Sequence, residues 1–232
     1  MEIPMHIPRI FAASVLIVAA CTAAEKTPSS DSGAASTANA DDPDRNAAGG
    51  ALPSGYTART DRPAADISGA KYVTAGSDWE VTTGPPHIIY ASKDMGNGNY
   101  TARATFEQLE KPTHPEAYGI FVGGRDLDKD SQAYTYFLVR GTGDVAIKVR
   151  EGAETRDVIK WTPSADVPKE DGSGKARYDL AVQVTNEAVK FSVNGKQVAS
   201  VSKAGLPLDG IVGARINHNL HVKVTPVSVT AP

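Results

Sequence analysis

Over residues 99–107 the chain alternates Tyr100, Ala102, Ala104 and Phe106 with Asn99, Thr101, Arg103 and Thr105. This is the period-two pattern of a strand with one buried face. Shorter β-prone runs recur on both sides: 72–74, 79–82 and 87–90, divided by Gly76, Gly84 and Pro85-Pro86, then 118–122, 134–140, 145–150, 157–161, 178–184, 189–193, 197–201, 211–216 and 220–229. No stretch carries apolar residues at helical spacing over three turns. Gly141-Thr142-Gly143-Asp144 joins two of the runs, and Asn194-Gly195 sits between Phe191-Ser192-Val193 and Gln197-Val198. The second is a type I′ hairpin signal, because both central residues must take positive φ. The pattern predicts an all-β fold, a two-sheet antiparallel β-sandwich of jelly-roll type over residues 56–232. Its core face carries Phe106, Ile120, Phe137, Val139, Val145, Ile147, Val149, Leu180, Val182, Val184, Phe191, Val193, Val212 and Ile216.

The same alternation assigns the polar face. With Phe137 and Val139 inward, Tyr134, Tyr136 and Arg140 face the other way, and Lys148 and Arg150 oppose Ile147 and Val149. Arg215 and Asn217 oppose Val212, Ala214 and Ile216; His221 and Lys223 oppose Leu220 and Val222; Arg103 and Thr101 oppose Tyr100 and Phe106. If these strands share a sheet, one face gathers cations, two tyrosines, an asparagine and a histidine. Sugar recognition uses that mixture, aromatic platforms for C–H faces and fixed donors for hydroxyl or carboxylate oxygens. Outward residues that only solvate a sheet would give the same pattern. Arg125, beside Gly123-Gly124 at a strand end, joins the candidates because glycines let a ligand approach closely.

Residues 1–55 break the strand pattern. Arg9, an apolar run over 10–20 and small residues before Cys21 read as a secretory signal, with 1–20 removed from the mature chain. That run is shorter than the roughly 20 residues a membrane-spanning helix needs. Residues 22–55 are almost wholly Ala, Ser, Thr, Gly, Asp and Pro, with Leu52 the one large apolar side chain, a composition that cannot offset the entropy of ordering. As a flexible tether it would span roughly 30–35 Å. The whole chain of 232 residues carries a formal net charge of −3, and that excess lies in the tether: residues 56–232 balance 21 basic against 21 acidic residues. A neutral domain gives no reason to expect a nucleic-acid partner. We expect a monomer.

Two resemblances follow. Val18-Ala19-Ala20-Cys21 resembles the bacterial lipoprotein signal, in which the cysteine thiol receives diacylglycerol. It implies lipidation at Cys21 and an exported envelope protein, and Thr22 in place of an aspartate implies the outer membrane. An ordinary signal peptide cleaved near Ala20, with Cys21 an incidental thiol, is the alternative; as the only cysteine, Cys21 has no partner for an internal disulfide. Tyr118-Gly119-Ile120-Phe121-Val122-Gly123-Gly124, Tyr134-Thr135-Tyr136-Phe137-Leu138-Val139-Arg140 and Val145-Ala146-Ile147-Lys148-Val149 follow the order of laminin-G-like and concanavalin A-like sandwiches. With Phe191-Ser192-Val193-Asn194-Gly195 and Asp209-Gly210-Ile211-Val212-Gly213, the chain resembles the bacterial 3-keto-disaccharide hydrolase domain group. That resemblance implies the sandwich fold; the fold hosts binding modules and enzymes alike.

Candidate chemistry is sparse. Retaining glycosidases need two carboxylates about 5–5.5 Å apart, which a Glu-x-Asp-x-Glu strand supplies. The nearest pair, Glu151 and Glu154, falls where a hairpin loop is expected. Asp126, Asp128 and Asp130 alternate as calcium ligands do, but Ser131 and Phe137 stand where an EF-hand needs glycine and glutamate. A rim calcium site or a solvated loop both fit, and no other cofactor is expected. His87, His114, His218 and His221 read as ordinary strand or turn histidines; His218 and His221, three apart, would need a bend to share a zinc ion. The expectation is a membrane-anchored envelope protein whose sandwich binds carbohydrate or another envelope polymer without catalysis. A 3-keto-disaccharide hydrolase-like enzyme and a structural envelope protein with no small ligand are the alternatives.

Overall fold

The computed structural model describes residues 47, 49–62 and 67–232. The predicted signal segment, Cys21 and the tether as far as residue 46 lie outside the described residues. Among these residues fifteen strands form, namely β1 (Thr57–Thr60), β2 (Lys71–Ala75), β3 (Asp78–Thr82), β4 (His87–Gly96), β5 (Tyr100–Gln108), β6 (Ala117–Arg125), β7 (Ala133–Arg140), β8 (Asp144–Glu151), β9 (Glu154–Pro163), β10 (Ala176–Val184), β11 (Ala188–Val193), β12 (Lys196–Ser202), β13 (Gly210–Ile216), β14 (His221–Val224) and β15 (Ser228–Thr230). A 3₁₀ turn at Ile67–Gly69 is the one helical element among the described residues.

Two antiparallel sheets result. One has the order β1-β4-β13-β6-β7-β8-β9; the other has β12-β11-β10-β5-β14-β3-β2, with β15 also paired to β5. The expected two-sheet sandwich is therefore the fold. Each predicted run is a strand, with one split: 220–229 becomes β14 and β15, because Pro226 has no N–H to continue the ladder. Thr225 bridges the gap, its N–H donating to Thr105 O at 3.0 Å and its hydroxyl accepting from Thr105 N–H at 2.8 Å. β1 was not predicted. It is an edge strand without apolar alternation, held by its ladder to β4.

Between the sheets every predicted core residue is buried. Aromatic rings knit this core, Phe106 stacking on Tyr118 at 5.5 Å between centroids and Phe137 meeting Phe191 at 5.6 Å. Leu52, at the tether's end, packs against the same core. The Asn194-Gly195 hairpin has φ of 50° and 78°, as a type I′ turn requires.

A second buried cluster lies on the outer side of the seven-stranded sheet, containing Ile88, Tyr90, Phe121, Leu127, Tyr134, Tyr136 and Leu138. Part of its cover is the β6–β7 connection, which folds back over the sheet. Asp126 makes the reversal with φ 50°, and Arg59 Nη1 holds the carbonyls of Leu127 at 2.7 Å and Lys129 at 2.5 Å. Over its central strands this sheet is thus covered on both faces, which is why Tyr134 and Tyr136 point away from the core and are still inaccessible.

Candidate functional site

Directly paired residues on neighbouring strands point to the same face. On the outer side of the seven-stranded sheet this aligns Arg59, Ile88, Arg215, Gly119 and Leu138 in one row and Tyr90, Gly213, Phe121, Tyr136, Lys148 and Asp157 in the next. Tyr134 and Arg150 begin a third. The predicted Tyr134, Tyr136, Lys148, Arg150 and Arg215 share this face. Arg140 joins them, its guanidinium 3.7 Å above the Trp161 ring, and Asn217 accepts from Arg215 Nε at 3.2 Å.

The centre of the face is Asp61, which nothing in the sequence pattern marked. Its carboxylate receives the fork of Arg215, Nη1 on Oδ1 and Nη2 on Oδ2 at 2.9 Å, while Arg150 Nη2 stands 3.2 Å from Oδ2. Arg215 and Arg150 are only 5% and 6% exposed. Burial by itself would raise the carboxyl pKa; the Arg215 hydrogen bonds and both guanidinium charges outweigh it and hold Asp61 below its ordinary value. The phenols beside them stay neutral, burial pushing Tyr134 up and Tyr136 to about 12.

The charges do not balance. Lys148 is matched by Asp157 at 2.8 Å, but Asp61 serves two guanidiniums and Arg140 rests on an aromatic ring. Among the described residues, six buried side-chain polar atoms have no partner, and four of them are guanidinium nitrogens of this face: Nε and Nη2 of Arg59, Nε of Arg140 and Nε of Arg150. A face with aromatic rings, surplus positive charge and unused planar donors is chemically suited to an anion carried on an apolar body.

Other predicted residues stand elsewhere. His221 lies on β14 of the second sheet, between Glu80 at 3.6 Å and Glu110 at 3.7 Å, and does not join the face; Lys223, Arg103 and Thr101 belong to that second sheet too. Alternation orients a residue within its strand but does not say which sheet the strand enters. Arg125 is exposed at the end of β6. The glycines before it make a bulge rather than a ligand approach: Gly123 has φ 67°, and a Cβ there would meet the Pro207 carbonyl at 2.3 Å. Asp126, Asp128 and Asp130 lie on the folded-back connection, where Asp126 pairs with Lys129 at 2.8 Å. Elsewhere, a cleft of about 300 Å³ on the second sheet is lined by Arg103, Thr105, Asp179 and Ser228, with no aromatic ring among its lining residues.

No protein-family model matches the chain, and no curated protein matches it by sequence. Its structure is similar to the carbohydrate-binding module CBM66 from Bacillus subtilis, with a TM-score of 0.56 and 10% identity over 76% of this chain and 96% of that one. It is also similar to a protein of unknown function with a galectin-like fold from Bacillus subtilis, with a TM-score of 0.51 and 10% identity over 70% of this chain and 86% of the other. The exoplasmic/lumenal domain of VIP36, in a Ca²⁺/Man₃GlcNAc-bound form, matches with a TM-score of 0.50 and 9% identity over 77% and 84%. The sandwich is of the galectin and concanavalin A-like kind.

Proposed function

We propose that this protein is a non-catalytic, lipid-anchored envelope protein whose outer sheet face binds an acidic glycan, the carboxylates of uronic-acid units seated at the partly exposed Arg59 and Arg140 beside Trp161. One observation carries the reading: buried guanidinium N–H groups of three arginines on a single face lack partners, beside Tyr136 and Trp161. An unsatisfied buried donor costs about 1–3 kcal/mol. An anionic ligand would meet the partly exposed guanidiniums of Arg59 and Arg140, and a sugar ring would lie on the Trp161 side. The shared fold with a carbohydrate-binding module is in keeping with this use of the face.

The test is calorimetry of the full chain against oligouronates and their neutral counterparts. Acidic oligosaccharides bind and neutral ones do not, and affinity falls as salt is raised, since screening weakens charged contacts at the protein surface. Trp161→Ala, a change at a partly exposed residue, weakens binding by about 2- to 12-fold, from the loss of a stacking contact of about 0.5–1.5 kcal/mol. If no oligosaccharide is retained at millimolar concentration, the structural reading of the protein replaces this one. Free sugar released from 3-keto-glycosides would instead support the hydrolase group that the sequence resembles.

The anchor has its own test. Cys21→Ser moves the protein from the membrane to the soluble fraction, because one site carries all the acyl chains and each buried methylene contributes about 0.8 kcal/mol. A variant that still fractionates with outer membranes overturns the anchor without touching the binding face.

A further inference from the structure

At one end of the sandwich two connections meet. His114 and Glu116 lie between β5 and β6, and His218 lies between β13 and β14. Their ligand atoms fall within 4.8 Å of one another, the one such group of histidine and carboxylate side chains among the described residues. Glu116 Oε1 is 3.0 Å from His114 Nδ1 and 2.9 Å from His218 Nε2, and the two imidazoles meet edge to face at 5.1 Å. Ligand atoms around a tetrahedral zinc, with bonds of about 2.0–2.2 Å, stand roughly 3.3–3.5 Å apart. Small side-chain rotations would bring these three onto corners of that figure.

The surroundings hold the three groups in place without them. Asn217 N–H donates to Ala117 O at 3.0 Å, and Asn219 Nδ2 donates to Thr113 Oγ1 at 2.7 Å, so the two connections are laced together. Asn219 takes φ 54°, the bend that a regular strand from 218 to 221 would lack. Asn217 Nδ2 donates to Glu116 Oε2 at 3.0 Å and leaves Oε1 as the inward oxygen. Orienting hydrogen bonds of this kind are what metal-ligating carboxylates carry. Burial tends to raise the Glu116 pKa, but hydrogen bonds from His218 and Asn217 outweigh it and keep the carboxylate ionised. Beside it lies a cavity of about 70 Å³ lined by Gln108, Lys111, His114, Glu116 and Glu170, room for a water or two.

We propose that His114, Glu116 and His218 form a zinc site with three protein ligands and a fourth position open to this cavity. Two imidazoles and one carboxylate suit zinc, whereas calcium would demand six to eight oxygens. The ion would fasten the β5–β6 connection to the β13–β14 connection, both of which cross from one sheet to the other. Through Asn217, which contacts both Glu116 and Arg215, it would also stiffen the arginine face. The site stands on residues the glycan reading does not use as ligands, so either can fail alone.

The experiment uses the full chain carrying Cys21→Ser, which removes the only thiol, stripped of metal with a chelator. Titration with zinc chloride followed by calorimetry gives one ion per chain and a raised melting temperature, while calcium chloride gives neither. His114→Ala, at a half-exposed residue, and Glu116→Gln each weaken zinc binding by tenfold or more, and circular dichroism confirms that both variants fold. Cobalt(II) in place of zinc gives intense visible absorption of a four-coordinate site, lost in both variants. No uptake, or uptake equal in the parent and in both variants, overturns the site.

Discussion

Asp61→Asn lowers stability by about 3–5 kcal/mol, the cost of removing one partner of a buried ion cluster. Among the described residues the carboxylate is the one anion in contact with Arg215 and Arg150, both of them buried, and the isosteric amide keeps the shape while removing the charge. Two like charges are then left against each other in low dielectric with one carbonyl oxygen between them. At roughly 2–4 °C per kcal/mol for a domain of this size, the melting temperature falls by about 6–20 °C. Thermal unfolding of the two proteins measures it. A fall of under 1 kcal/mol would mean that water reaches the arginines and the cluster is not buried as described. Replacing all three together, Asp61→Leu with Arg215→Met and Arg150→Met, recovers much of the loss, because an apolar cluster of similar volume has no charge to desolvate. If the face binds uronic acids as proposed, glucuronate at millimolar concentration raises the melting temperature of Asp61→Asn more than that of the parent, its carboxylate standing in for the missing one.

How this face escaped the sequence is instructive. Period-two alternation identifies Tyr134, Tyr136, Lys148, Arg150 and Arg215 as pointing away from the core, and register confirms it residue by residue. Alternation says nothing about what lies above a face. The cover comes from Leu127 on a connection folded back by a positive-φ Asp126, and the charge balance comes from Asp61, just past an edge strand with no hydrophobic signature. Both are products of tertiary packing. His221 separates from the rest for a related reason: strand order in the two sheets, β13 in one and β14 in the other, is decided by ladders between residues far apart in sequence. The same distance hides the His114, Glu116 and His218 group, in which His218 is about a hundred positions from the other two and meets them only when β6 pairs with β13. The core was readable because burial acts on each strand separately.

Acid should weaken the fold well before its carboxylates protonate, and His87 is the cause. Its ring is wholly buried at the end of the same sheet: Nδ1–H donates to Pro85 O at 2.8 Å, and Nε2 accepts from the Tyr72 hydroxyl. That tautomer is neutral. Desolvation dominates and lowers its pKa to about 4; the Pro85 hydrogen bond and Asp61 oppose the fall, and the Arg215 charge adds to it. The unfolded chain takes up a proton below about pH 6.5 and the folded chain only below about pH 4, so between these values unfolding is favoured as pH drops. At 1.36 kcal/mol per unit of pKa difference, the loss approaches about 3 kcal/mol at pH 4 and then levels off. Asp61 acts in a separate window: its pKa is lowered from 3.8, so its contribution is intact above that value and fades only as pH falls further. Urea unfolding at pH 7, 6, 5 and 4 follows the His87 window alone, with midpoints falling across this series at constant slope. His87→Gln retains a donor for Pro85 O and an acceptor for Tyr72, and it removes the decline between pH 6.5 and 4 whatever its effect at pH 7. A decline of unchanged size in that variant would assign the acid sensitivity to another group.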